Sequence, residues 1–140
     1  MLICIDSSTL IFALNQTKPS AVQVWRWVGQ SLELVIPRLV AQEVTRNLGT
    51  PAQIRQFYHL FKNNRVAQIV DEPVPAELVK KYIDFGLPEK ADAFIGAFAE
   101  WQNVSYLISE NRHFLRDLST PAFKVRSSAQ FLKDFEISNV

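Results

Sequence analysis

Three carboxylates in the chain sit where an acid is hard to explain by solvation alone. Asp6 directly follows the apolar run Leu2-Ile3-Cys4-Ile5. Asp92 lies in Ala91-Asp92-Ala93-Phe94-Ile95-Gly96-Ala97-Phe98-Ala99, a segment apolar on nearly every side. A helix of that kind is normally buried, and an ionised carboxylate in it is costly unless a cation or a metal neutralises it. Glu43 stands at the margin of a helical stripe formed by Val40, Val44 and Leu48, with Asn47 one turn further on. Each has an ordinary reading. Asp6 is a natural helix N-cap, although Ser7 and Ser8 suit that role equally well and would free it. Asp92 in a first turn would face the positive end of a helix dipole. Glu43 could pair with Arg38 or Arg46.

If the three converge, their hard oxygen ligands suit Mg²⁺ or Mn²⁺ and not zinc. Such an ion takes its remaining ligands from water and phosphate, and the matching chemistry is phosphodiester hydrolysis. Other chemistries lack their signatures. Cys4 is the single cysteine, so neither an internal disulfide nor a cysteine-based zinc site can form. The four glycines compose no dinucleotide or phosphate-binding loop, and no nucleophile elbow is present. An α/β phosphate-transfer domain with Asp6 as phosphoacceptor is a further reading. It lacks a second Asp two residues on and a lysine after the fourth strand.

Short apolar strands alternating with helices must position these acids. Strands are expected at 2–5, 32–36, 66–70 and 104–108, with a short fifth at 123–125. Helices are expected after Asp6, over 20–30, around 39–48, from Pro51 to about Asn63, from Pro75 to about Phe85, over 89–101, and over 128–135 with Ser127 or Ser128 at its start. The alternation predicts an α/β fold, a three-layer α/β/α sandwich with a mainly parallel central sheet, in one domain spanning 1–140. In such sheets ligands bind at the carboxyl ends of the strands, which is where Asp6 stands. The 48% hydrophobic content supports a continuous core, and a net charge of +1 leaves nucleic acid neither favoured nor excluded. No signal peptide or membrane span is read, so a cytoplasmic protein is expected. Trp25 and Trp27 cannot share one helical face, so one is expected in the core and the other exposed at an interface. Arg46, Arg55, Lys62 and Arg65 are scattered and suggest no phosphate track.

Four segments, in order, resemble the PIN-domain ribonucleases. Met1-Leu-Ile-Cys-Ile-Asp6-Ser-Ser-Thr-Leu-Ile-Phe-Ala is similar to the family's opening, and Pro37-Arg-Leu-Val-Ala-Gln-Glu43-Val-Thr-Arg-Asn-Leu48 to its second acidic segment. Ala91-Asp92-Ala-Phe-Ile-Gly-Ala-Phe-Ala99 resembles the third, and Tyr106-Leu-Ile-Ser109-Glu-Asn111-Arg-His-Phe114 the fourth. The resemblance is to VapC-type toxins of toxin–antitoxin systems in particular. It implies an endoribonuclease using Mg²⁺ or Mn²⁺ bound by Asp6, Glu43 and Asp92, an RNA substrate, a protein antitoxin and a homodimer. It matches Ser109 to a supporting hydroxyl. Asn111 stands where Asp is commonest, as a weaker, uncharged metal ligand, and His113 stands where a second Asp often lies. Glu110 could compensate for the lost charge, and Glu89, one turn before Asp92, is an auxiliary ligand or a first-turn helix acid. Arg112, His113 and Arg116 either contact RNA phosphates or belong to a solvated loop. The departure at Asn111 implies one firmly held metal, and a PIN-fold module that binds RNA or protein with weak cleavage is the alternative.

Overall fold

The computed structural model describes residues 1–87 and 90–138. The strands are β1 (Leu2–Ile5), β2 (Glu33–Pro37), β3 (Ala67–Val70), β4 (Tyr106–Ile108) and β5 (Lys124–Arg126). The helices are α1 (Ser7–Leu14), α2 (Pro19–Trp27), α3 (Arg38–Arg46), α4 (Pro51–Leu60), α5 (Ala76–Asp84), α6 (Lys90–Trp101), α7 (Arg112–Asp117) and α8 (Ser128–Ser138). The strands form one sheet in the order β3-β2-β1-β4-β5, and every pairing is parallel. Chain progression runs outward from β1 to β3, then crosses back to β4 on the other side of β1. With right-handed crossovers, the reversal puts α1 to α4 on one face and α5 to α7 on the other. α1 packs on α2 and α3, α8 returns to pack on α2, and α5 packs on α6. The result is the expected three-layer sandwich, and its topological switch point falls between β1 and β4.

β1 occupies the centre of the sheet because Ile3, Cys4 and Ile5 are buried by helices on both faces. Its partners are Leu34 on one side and Tyr106, Leu107 and Ile108 on the other. Several helix ends follow from local sequence. Thr50 and Gln53 form a reciprocal capping box ahead of α4, and Ser127 accepts from the Gln130 N–H to start α8. Gly86, at φ +86°, closes α5 with a bond from its N–H to the Ile83 carbonyl.

Two expectations need correcting. The segment after β4 is not a solvated loop: residues 112–117 form α7, capped by Asn111 and anchored by the buried Phe114. A helix of six residues shows too little of a 3.6-residue period to be read from sequence. Nor is one tryptophan core and the other exposed. Trp25 and Trp27 are both half-buried, Trp25 stacked on Phe57 and Trp27 edge-on to Phe135, because α4 and α8 flank α2 on different sides. Glu89, one of the sequence-derived candidates, lies outside the described residues.

The α5–α6 contact depends on Gly96. A Cβ there would stand 2.7 Å from Cδ1 of Tyr82, whose ring is fully buried and whose hydroxyl is held by Glu100 at 2.9 Å and by Thr120 at 3.4 Å. The ring cannot swing aside without breaking these bonds. Exposed Gly→Ala changes in helices usually gain about 1 kcal/mol. Gly96→Ala is expected to lose about 1–3 kcal/mol instead, as overpacking does, and the urea midpoint of the purified variant checks the sign.

Candidate functional site

The carboxyl end of β1 delivers Asp6 to the switch point. Its N–H continues the ladder by donating to the Ile108 carbonyl of β4 at 2.9 Å, and its backbone is still extended. The next residue starts α1, so the Asp6 side chain is both the N-cap of that helix and a wall of the pocket beyond it. Oδ1 accepts from the Ser7 N–H at 2.8 Å, and Oδ2 accepts from the Ser109 hydroxyl at 2.9 Å. The sequence offers the cap and the site role as alternatives for Asp6, with Ser7 or Ser8 equally suited to cap; in the structure Asp6 fills both. Ser109, fully buried at the end of β4, also accepts from the Asn111 N–H at 2.9 Å, so it is fixed from both sides.

Glu43 enters from α3, which begins where β2 ends. It accepts from the Ser7 hydroxyl at 2.6 Å, while the same hydroxyl lies 3.5 Å from Asp6 Oδ1. One proton cannot serve both acids, and the shorter bond goes to Glu43. Arg38 is engaged by Asp71 at 2.7 Å, and Arg46 donates to the Gln42 carbonyl, so the expected pairing of Glu43 with either arginine does not form. Asp92, in the first turn of α6, comes from the opposite helix layer and is buried. Asp6, Glu43 and Asp92 line one open pocket of about 410 Å³ together with Ser8, Phe12 and Asn111. A larger cleft of about 510 Å³ lies near Trp101 and Gln68, but Glu72 is its one carboxylate among the described lining residues. Chemistry, not size, selects the smaller pocket.

Burial pushes the Asp6 carboxyl above the ordinary aspartate range. The hydrogen bonds from Ser109 and Ser7 oppose that shift, and the nearby charges of Glu43 and Asp92 add to it. Cys4, beneath it in β1, has its thiol raised by burial and then by Asp6, which makes it an inert core residue.

The remaining candidates separate. Asn111 lines the pocket, and its Oδ1 accepts from the His113 N–H at 2.9 Å to cap α7. Glu110 reaches the same wall, but its carboxylate is engaged. Oε1 accepts from the Ser128 N–H at 2.9 Å and from the Ser128 hydroxyl at 2.5 Å, and Oε2 pairs with Lys18 at 3.1 Å. Burial would raise the Glu110 carboxyl, but the Ser128 and Lys18 bonds outweigh it and hold the group below its ordinary range. Arg112, His113 and Arg116 are exposed on α7, outside the pocket lining, and the last two lie beside Asp117 at 3.7 Å and 3.0 Å. Sequence reasoning missed Ser7 as the bridge between two acids, and missed Phe12. The i, i+4 spacing of Ser8 and Phe12 is the signal that puts the two on one face of α1.

The donor set fits a hard divalent cation. Three carboxylates, one from the end of β1 and one each from α3 and α6, share one cavity, and their mutual repulsion is the kind a cation relieves. Among the described residues no three acid, histidine or cysteine side chains already stand in ligating contact. The cavity is roomy instead, as suits an ion that keeps part of its water shell.

Raising the folded-state pKa of Asp6 has a definite sign. Between the unfolded value near 3.8 and the raised folded value, the native state binds the extra proton, so stability falls as pH rises through that window and stays lower above it. In EDTA at pH 7, Asp6→Asn, which keeps the cap, is expected to be more stable than the parent. The difference should fade on acidification below the ordinary aspartate range. Urea melts of both proteins across pH check this, and a less stable variant at neutral pH contradicts it.

The sequence matches the family model described as PIN domain over residues 3–117. No curated protein matches the chain. Among solved structures, the crystal structure of VapBC2 from Rickettsia felis bound to a DNA fragment from their promoter superposes with a TM-score of 0.62 at 18% identity. The alignment covers 91% of this chain and 98% of that one. At that identity the likeness is one of fold, and it agrees with the five-stranded parallel sheet described above. Because the family model takes in all four acidic segments and most of the sequence, the chain belongs to the PIN domain family.

Proposed function

We propose that this protein is a metal-dependent endoribonuclease of the VapC toxin type, with Asp6, Glu43 and Asp92 as the ligands of Mg²⁺ or Mn²⁺. The observation that carries this reading is the convergence of the three acids on one pocket at the switch point, with Ser109 and Ser7 holding Asp6 in place. A divalent ion bound there supplies water activation and neutralises charge at the scissile phosphate. The chain's own part is positional. Asp6 is fixed at both oxygens, Ser7 ties Glu43 to the same frame, and Asp92 brings the third charge from the opposite layer. Water attacking in line at phosphorus, with O3′ departing and taking up a proton, leaves a 5′-phosphate and a 3′-hydroxyl.

On this reading the RNA is single-stranded or structured, the working form is a homodimer in the cytoplasm, and a protein antitoxin holds the activity in check. Likeness to a structure of VapBC2 supports the antitoxin. No described helix is long and apolar enough to cross a membrane. One observation favours a second reading, an RNA-binding PIN-fold module with weak cleavage. Asn111 carries no charge, and its amide oxygen is already given to the cap of α7. A second ion would find little to hold it.

Purified protein with Mn²⁺ or Mg²⁺ is expected to cut a mixed single-stranded RNA, and EDTA is expected to stop it. Asp92→Asn should lose more than the roughly 10- to 100-fold typical of outer-shell partners, whereas Ser109→Ala should fall within that range. Uncut RNA, or an Asp92→Asn variant as active as the parent, moves the assignment to the binding module.

A further inference from the structure

Phe12 is a large apolar side chain left 39% exposed, and it lies in the lining of the carboxylate pocket. It stands one helical turn after Ser8 on the same face of α1, and both reach the pocket that Asp6 begins. Nothing in the core needs it there: the buried face of α1 is made by Ser7, Thr9, Leu10, Ala13 and Leu14.

The chain beyond α1 is bent to bring a cation to this ring. The Thr17 N–H donates to the Phe12 carbonyl at 3.1 Å and the Gln16 N–H to the Ala13 carbonyl at 3.2 Å. These are the two bonds of a Schellman turn, with Gln16 at φ +57° in the left-handed position that glycine usually takes. A non-glycine residue there carries backbone strain. Its consequence is that Lys18 folds back, with Nζ 5.9 Å from the centre of the Phe12 ring and 3.1 Å from Glu110 Oε2. Glu110 is itself pinned by Ser128, so the ammonium is held from a fixed point on the pocket wall.

We propose that Phe12 and Lys18 form a nucleotide subsite at the mouth of the pocket, in which Phe12 stacks against a base of single-stranded RNA and Lys18 contacts its phosphate. The subsite rests on the reading of this pocket as the RNA-facing site. A protein partner fits less well, because Phe12 is the one aromatic among the described residues lining the pocket and stands beside exposed Asn15 and Gln16, whereas protein contacts favour contiguous apolar patches. Aromatic faces take any base, so the subsite positions the strand without dictating its sequence. Stacking also requires an unpaired base, which makes a single strand the preferred form.

Fluorescence anisotropy with a labelled mixed-sequence single-stranded RNA in EDTA reads binding without cleavage. Phe12→Ala is expected to weaken it by roughly 5- to 150-fold, the loss of one stacked base. Phe12→Trp should retain binding. Phe12→Leu, apolar but not aromatic, should lose nearly as much as the alanine variant. Lys18→Gln should lower the slope of log affinity against log salt by about 0.7, one phosphate contact on a single strand. Circular dichroism melts confirm that the variants fold. If Phe12→Leu binds like the parent, or Phe12→Ala binds RNA normally, the stacking subsite is wrong and the ring belongs to a protein contact. RNA that is cut in Mn²⁺ equally well by the parent and by Phe12→Ala overturns the subsite alone. RNA bound through Phe12 in EDTA but left uncut when Mn²⁺ is supplied overturns the nuclease reading alone, and RNA neither bound in EDTA nor cut in Mn²⁺ overturns both.

Discussion

Crowding of like charge at the end of the central strand is the constraint around which the rest of the structure is arranged. Asp6 is fixed to the end of the central strand of the sheet, and it cannot retreat from Glu43 and Asp92 without dismantling the β1–β4 ladder and the cap of α1. An arrangement of this kind costs stability in the empty protein and is retained where the charge has a use. The neighbouring polar groups are correspondingly specific. Ser109 and the Ser7 N–H each take one oxygen of Asp6, and the Ser7 hydroxyl takes Glu43. No arginine or lysine enters the set of groups bonded to Asp6 or Glu43 among the described contacts. Their charges face the pocket, available to a divalent ion.

The two helix layers have complementary parts. The α1–α3 layer supplies Asp6 and Glu43 and is tied together at Ser7. The α5–α6 layer supplies Asp92, and Gly96 allows the close approach of α6 to Tyr82 on α5. Switch-point topology puts both layers at the same strand ends, which is why three acids separated by long stretches of sequence share one cavity.

Much of this was legible in the sequence because the signals are strong where apolar context isolates a charge. Asp6 after a buried strand and Asp92 inside an apolar helix announce themselves. Glu43 was visible only at the edge of a stripe, and it joined the set through order and resemblance. What could not be read has physical reasons. Ser7 looked like one of several caps, and its bridging role requires α3 to be in place. The six-residue α7 has no period to detect, so the sequence presents Asn111 as a ligand and hides the cap it also is. Glu110 looked available because Ser128 and Lys18, its partners, are distant in sequence. The left-handed turn at Gln16 leaves no trace, since glutamine seldom marks such a position.

Calorimetric titration of Mn²⁺ into the parent protein and into Asp6→Asn tests the central claim, that the three acids form a shared cation site, most directly. One binding site is predicted in the parent, with binding lost or severely weakened in the variant. Two tight sites in the parent would show that Asn111 does not limit the centre to one ion. Undiminished binding in Asp6→Asn, or none in the parent, would contradict the account of why these carboxylates stand together.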